Sequence, residues 1–273
     1  MDPAIARSYL YVPASRPDRF DKALASGADA VIVDLEDAVA AGENVAARNA
    51  LAQWLTPAKP VIVRVNAANS QWFRDDLEVC RNDGVAGIIL PKAEALDEEL
   101  IDICTRGGKQ LLPLIDTAIG LVLAQTIAYG PRVQRLLFGT IDFQLELGID
   151  GDGDELLYFR SQLVLASRLA GVQPPVDGPC TTFDDDTQVS AHAQRAQRMG
   201  FGGVLCIHPK QVASVNAAFT PTAEQVVWAQ RVLDTAARSA GAAIALDGRM
   251  IDRPVILKAE QVIREDQRRA ARS

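Results

Sequence analysis

Histidine and cysteine are scarce in this chain: its 273 residues include two of the first and four of the second. The cysteines (Cys80, Cys104, Cys180 and Cys206) stand far apart, with no CxxC pair. That argues against a zinc site or a disulfide framework, and a reducing cytoplasmic setting is expected. No apolar run approaches the roughly 20 residues of a membrane span. The opening MDPAIARSYLYVP lacks the long apolar core of a secretory signal. A net charge of −7, from 28 basic and 35 acidic residues, argues against nucleic-acid and membrane-surface partners. It leaves room for an anionic substrate held by local Arg and Lys.

What the chain does have is alternation of short buried-strand runs with helical patterns, the mark of an α/β fold. Strands are expected at 8–12, 30–34 (AVIVD), 60–65 (PVIVRV), 87–90 (GIIL), 110–115 and 133–141. A weaker one is expected near Val176 and another at 203–207 (GVLCI). Helical spacing fills 18–25, 43–55, 72–81, 96–105, 119–129, 156–170 and 187–199, and restarts at Pro209. Eight strand–helix units make a TIM (β/α)8 barrel the expected fold over residues 1–220, since such barrels typically need about 250 residues. An open doubly wound sheet is the alternative, because periodicity cannot show closure. Residues 221–273 carry two more helical patterns, 221–241 and 255–272, and are expected to form a C-terminal helical extension or lid. The basic residues of the last pattern read as a solvated helix face.

The centre of the chain is LLPLIDTAIGLVLAQTIAYGPRVQRLLFGTIDF, residues 111–143. It reads as strand, helix, strand, with Asp116 and Asp142 each at a strand's C-terminal end. In a parallel barrel those ends share one face. Each acid could cap the following helix. Together they suit a divalent cation, above all Mg²⁺, which takes one or two carboxylates and leaves positions for substrate oxygens. Other chemical residues also follow strands: Asp34, Glu36 and Asp37, then Arg64 and Asn66, then Lys92 and His208. Arg64 offers a planar fork to a carboxylate or carbonyl. The three acids at 34–37 suit partners of metal-bound water and of arginine. Lys92 reads as a charge-balancing group rather than a Schiff-base lysine, and His208 as a hydrogen-bonded fixture. Arg16, Arg19 and Lys22, at the start of the first helix, form a candidate phosphate clamp or ordinary surface charge.

These motifs, in order RSYLYVPASRPDRFDKALASGADAVIVDLEDAV, VIVRVN, GIILPKAE, LIDTAIGL, FGTIDFQLELG, GFGGVLCIHPKQV, AFTPTAEQV and DGRMIDRP, resemble the citrate lyase β-subunit-like family of the HpcH/HpaI aldolases. The resemblance implies a TIM barrel that binds Mg²⁺ and a coenzyme A thioester. The metal acids fall on Asp116 and Asp142, the substrate arginine on Arg64, and the CoA contacts on Arg16, Arg19 and Lys22. Glu36, Asp37 and Asp252 join Arg64 as expected catalytic residues. The resemblance also implies a homotrimer or hexamer, in which the C-terminal segment covers a neighbour's site and supplies Asp252.

Two positions depart from the family pattern. Asp116 stands where Glu is usual, shorter by about 1.5 Å, a displacement that can cost on the order of 100-fold in rate. Val204 stands where Lys is usual. The expected activity is a free-standing Mg²⁺-dependent carbon–carbon lyase. It would cleave a 3-hydroxyacyl-CoA of the citramalyl-CoA or malyl-CoA type to acetyl-CoA and a 2-keto acid. A CoA-thioester hydrolase on the same scaffold and a catalytically silent metal- and CoA-binding scaffold are the alternatives.

Overall fold

Strand-forming residues buried on both faces need a parallel sheet with helices outside it, and a closed barrel supplies one without free edges. The computed structural model describes residues 5–238, 244–246 and 249–270. The chain divides into two compact units, Met1–Ala217 and Ala218–Ser273. In the first, eight parallel strands close in sequence order into a barrel. Its elements run β1 (Ser8–Pro13), α1 (Phe20–Leu24), β2 (Ala30–Asp34), α2 (Asn44–Trp54), β3 (Val61–Arg64) and α3 (Phe73–Cys80). They continue through β4 (Val85–Leu90), α4 (Glu98–Arg106), β5 (Gln110–Ile115), α5 (Ala118–Ala128) and β6 (Leu137–Phe138). Then come α6 (Thr140–Leu147), α7 (Leu157–Ala170), β7 (Val176–Asp177), α8 (Asp186–Met199), β8 (Gly203–Cys206) and α9 (Gln211–Ala218).

Inward-facing Tyr9, Ile32, Ile62, Ile89, Leu112, Leu137, Val176 and Leu205 fill the barrel as one apolar cluster. The interior is therefore packed core rather than pore. The N-terminal mouth is closed by Arg135, only 1% exposed. Its guanidinium donates to Pro174 O, Ala6 O and Tyr9 Oη at 2.8–2.9 Å, so the buried charge is hydrogen-bonded. Chemistry is left to the opposite, C-terminal mouth.

Here the expected strand at 133–141 is corrected. Only Leu137–Phe138 is strand, and Thr140–Leu147 is a helix that sequence patterning did not predict. The apolar run is shared between two elements: Arg135 is drawn to the N-terminal mouth, and the chain turns at Gly139 into α6. Helix α6 ends on Gly148 at φ +66°, a left-handed position that glycine adopts without steric cost.

The second unit pairs α10 (Ala223–Arg238) with α11 (Arg253–Ala270) and carries an antiparallel hairpin, β9 (Ile244–Leu246) and β10 (Arg249–Ile251). Ala229, Val232, Ile251 and Ala259 are buried in its own small core. The hairpin was not foreseen in the sequence. Gly248 and Asp247, and the end of the chain after Ala270, lie outside the described residues.

Candidate active site

Strand register sets the first contact of the site. Asp34 and Arg64, the last residues of β2 and β3, are cross-strand neighbours. Arg64 donates from Nε to Asp34 Oδ1 at 2.7 Å and from Nη2 to Asp34 Oδ2 at 2.6 Å, a fork-to-fork pair. Asp34 also accepts the backbone N–H groups of Glu36 and Ala38. Four donors saturate it, and it acts as the fixture that aims Arg64. The outer Nη1 of Arg64 reaches Asp37 at 3.1 Å and lies 3.0 Å from Glu36 Oε2. Tyr11 of β1 presents its ring 4.9 Å from the guanidinium carbon, a cation–π seat that sequence reasoning missed. The Arg64 fork, expected to meet a substrate, is thus closed on Asp34, and its outer nitrogen is the edge held by acids alone. Asn66 is a structural partner, donating its amide to Asp76, Leu35 O and Asn44.

Lys92 links this cluster to the next. It sits at φ +48°, an uncommon conformation for a side-chain-bearing residue. That conformation aims its backbone N–H at Asp116 Oδ2 (3.2 Å), while Nζ donates to Glu36 Oε1 at 2.7 Å. Burial opposes the Lys92 ammonium, but its hydrogen bond to Glu36 and the surrounding acids raise its pKa overall. The Glu36 carboxyl is raised chiefly by burial, against the fields of Arg64 and Lys92. Its Oε2 has no hydrogen-bond partner among the described residues.

Asp116 follows β5, but it does not cap the next helix. Thr117 does, its hydroxyl accepting Gly120 N at 3.0 Å. Asp116 is 1% exposed, and its Oδ1 is buried without a hydrogen-bond partner among the described residues. Burial, helped by the charges of Glu36 and Asp142, pushes its pKa up to about 7 against the Lys92 N–H and ammonium. Gly139 makes room for it: a Cβ there would stand 2.5 Å from Asp116 Cβ. Asp142, expected at a strand end, lies instead in the first turn of α6, close enough for its charge to act on Asp116. An acid is favoured there by the helix N-terminus.

No cluster of three or more His, Cys, Asp or Glu suited to a metal occurs among the described residues. Mg²⁺ does not need one, since it binds through one or two carboxylates and keeps water in its other positions. A buried carboxylate oxygen without a donor, within the electrostatic reach of a second acid, fits such a cation.

Arg16, Arg19 and Lys22 are exposed where β1 leads into α1, and Arg16 closes its own fork on Asp18 at 2.9 Å. His208 accepts Lys210 N through Nδ1 and stacks on Phe183 at 4.7 Å. Asp252, in the second unit, is exposed and accepts Val255 N at 3.3 Å, the cap position of α11.

Sequence reasoning also missed a buried charge network around β7. Arg160 and Asp177, both 0% exposed, pair at 2.9 Å. Asp152 joins Arg160, His192 and Arg195, while His192 Nε2 lies 2.9 Å from Gly178 O. Gly178 is pressed against Thr140, the first residue of α6, so that a Cβ there would clash with it. The network therefore holds the wall against which the Asp142 helix rests. Partners so scattered in sequence each read as surface charge. The signal available was Asp177 before Gly178-Pro179, immediately after the apolar Val176.

The comparisons with known proteins agree with this architecture. The HpcH/HpaI aldolase/citrate lyase family matches residues 7–209. A citrate lyase subunit beta-like protein of Deinococcus radiodurans is 36% identical, covering 96% of this chain and 97% of its own. A (3S)-malyl-CoA thioesterase of Cereibacter sphaeroides is 33% identical over 94% of this chain and 93% of its own. The crystal structure of CitE from Mycobacterium tuberculosis, in complex with magnesium, acetoacetate and coenzyme A, superposes with a TM-score of 0.84. It is 33% identical over 97% of this chain and 99% of that one. With a closed eight-stranded barrel and this match across most of its length, the chain belongs to the HpcH/HpaI aldolase/citrate lyase family.

Proposed function

We propose that this protein is a Mg²⁺-dependent carbon–carbon lyase. Its substrate would be a 3-hydroxyacyl-CoA of the citramalyl-CoA or malyl-CoA type, released as acetyl-CoA and a 2-keto acid. The observation that carries the reading is the buried, donor-free Oδ1 of Asp116, on which the charge of Asp142 acts and which Lys92 and Glu36 link to the outer edge of Arg64. Magnesium, acetoacetate and coenzyme A in the related CitE structure support it.

Asp116 and Asp142 would hold the cation, which when bound supplies Lewis-acid stabilisation of oxygen charge. Arg64 would bind the substrate carboxylate through Nη1. Asp37, the exposed partner at 3.1 Å, is the one an incoming carboxylate displaces, while Asp34 keeps the fork aimed. Arg16, Arg19 and Lys22 would contact the CoA phosphates. In the cleavage, a carboxylate takes the proton of the substrate hydroxyl as that oxygen becomes the keto carbonyl. The C–C bonding pair passes to the thioester carbon as an enolate, which takes up a proton to give acetyl-CoA. Glu36 holds Lys92 beside this centre, and we assign the proton to Asp252 of a neighbouring copy.

The experiment is incubation of the purified protein with Mg²⁺ and a panel of hydroxyacyl-CoA esters. Acetyl-CoA together with a 2-keto acid supports the lyase. Free CoA without a keto acid selects the thioesterase reading, which the Cereibacter relative favours. Binding of both ligands without turnover selects a silent scaffold, and Asp116→Glu raising activity would then mark a decayed site.

A further inference from the structure

Side chains alternate along a strand, so residues two apart face the same way. Tyr9, Ile32, Ile62 and Leu114 belong to the apolar cluster inside the barrel. Two residues further on stand Tyr11, Asp34, Arg64 and Asp116, which face inward by the same alternation, one layer nearer the C-terminal mouth. Tyr11 packs on the apolar cluster and is half-buried. Strands β1 and β3 lie either side of β2, and the Tyr11 ring reaches across to sit 4.9 Å from the Arg64 guanidinium carbon. Its ring is thus part of the floor of the candidate site.

The cation–π contact accounts for the ring, and a phenylalanine would supply it equally well. It does not account for the hydroxyl. Tyrosine hydroxyls taken out of water ordinarily find a hydrogen-bond partner, as that of Tyr9, one layer down, does in accepting from Arg135 at 2.9 Å. The Tyr11 hydroxyl has none among the described residues. Burial pushes its pKa up, against the field of Arg64 and with those of Asp34, Glu36 and Asp116. The group is therefore a neutral O–H donor within the electrostatic reach of both Arg64 and Asp116.

We propose that the Tyr11 hydroxyl donates a hydrogen bond to the carboxylate of the substrate's 2-keto-acid half, the same carboxylate that Arg64 binds. A ligand held by Arg64 at one end and by a cation on Asp116 at the other passes over Tyr11. Within that ligand the carboxylate offers acceptor sites alone, which match a donor. The substrate hydroxyl must instead surrender its proton to a base, and a neutral phenol is not one. This assignment rests on the lyase reading, and the test separates the two.

Tyr11→Phe keeps the ring and removes only the O–H. The probe is pyruvate, the simplest 2-keto acid, titrated calorimetrically into the protein with saturating Mg²⁺, beside steady-state cleavage of the ester that the wild type turns over. Pyruvate affinity is expected to fall at least tenfold, the effect of losing a hydrogen bond to a charged group. KM is expected to rise with kcat nearly unchanged, since the carboxylate carries the same charge before and after cleavage. Mg²⁺ affinity without pyruvate is expected to be unchanged, and Tm to stay level or rise, because a hydroxyl without a partner does not stabilise the fold. Equal pyruvate affinity in the two proteins overturns the proposal. A fall in Tm or in Mg²⁺ affinity also overturns it by making the hydroxyl a structural group, and a loss confined to kcat does so by moving it to the reacting oxygen. A wild type that neither binds pyruvate nor cleaves any ester removes the lyase reading itself, and this assignment with it.

Discussion

Replacing Gly139 by alanine adds one methyl group against Asp116, the buried acid proposed to hold the metal. The new Cβ would stand 2.5 Å from Asp116 Cβ and 3.4 Å from Leu114 Cγ. Carbon atoms prefer about 3.5–4.0 Å, so Asp116 must retreat by about 1 Å. Backbone strain is not the cause, because Gly139 has φ −85°, which alanine also adopts. Overpacking of this kind costs about 1–3 kcal/mol, which for a barrel of this size lowers Tm by roughly 2–4 °C per kcal/mol. The effect on the site is larger, since a misplacement of about 1 Å in a positioned group costs on the order of 100-fold. Calorimetric titration with Mg²⁺ and thermal unfolding should be run beside Gly42→Ala, where nothing lies within 4 Å of the added Cβ. Gly139→Ala is expected to lose Mg²⁺ affinity far beyond its stability loss. Wild-type affinity in a destabilised Gly139→Ala protein would refute the assignment of Asp116.

Since the Asp116 carboxyl is pushed up to about 7 and must be ionised to hold a cation, Mg²⁺ affinity should be level above that pH. It should weaken by about tenfold per pH unit below it, and a flat titration between pH 8 and 5.5 would reject the assignment. At Lys92, glycine accepts φ +48° and valine does not, so Lys92→Val should be less stable than Lys92→Gly by about 1 kcal/mol in urea midpoints. Asp177→Asn leaves the buried Arg160 short of a charge partner, a loss of about 3–5 kcal/mol in general and nearer the lower figure here because Asp152 still holds it. A Tm change under 2 °C would show that network to be dispensable. Mixing Asp252→Ala with Asp142→Ala under subunit exchange should restore activity if sites are shared between copies, and no recovery would end that idea.

The strands that could be read in advance are those whose burial leaves a continuous β-branched run, as in AVIVD of β2 or VIVR of β3, both buried throughout. Reading failed where one apolar run serves two elements. LLFGTIDF looks like a long strand, yet Gly139 divides it into two strand residues and the start of α6. Strand β7 is two residues long and carries almost no periodic signal. In the site, the acids and Arg64 are legible because polar residues directly after buried strands must gather at one mouth. Their pairing is not legible. That Asp34, and not a ligand, fills the Arg64 fork depends on the β2–β3 register, and pattern alone does not specify register. Tyr11 fails for a similar reason, since an aromatic on a strand reads as core.

The two acids proposed to hold the metal have different kinds of support, and this bears on the shorter side chain at position 116. Asp116 is fixed from three sides: by β5, by the Lys92 N–H and by contact with Gly139. It has little freedom to advance toward a cation. Asp142 rides on a short helix that no side chain caps at its N-terminus. That helix rests on Gly178 through Thr140 and is tied at its far end by Gln144 donating to Gly151 O at 2.8 Å. Any reach lost by having Asp rather than Glu at 116 must therefore be recovered on the α6 side. Such recovery is inexpensive, because a short helix can shift as a unit without breaking barrel hydrogen bonds. The same softness makes α6 dependent on what presses against it, the wall of Gly178 that the Arg160–Asp177 network holds on its inner side.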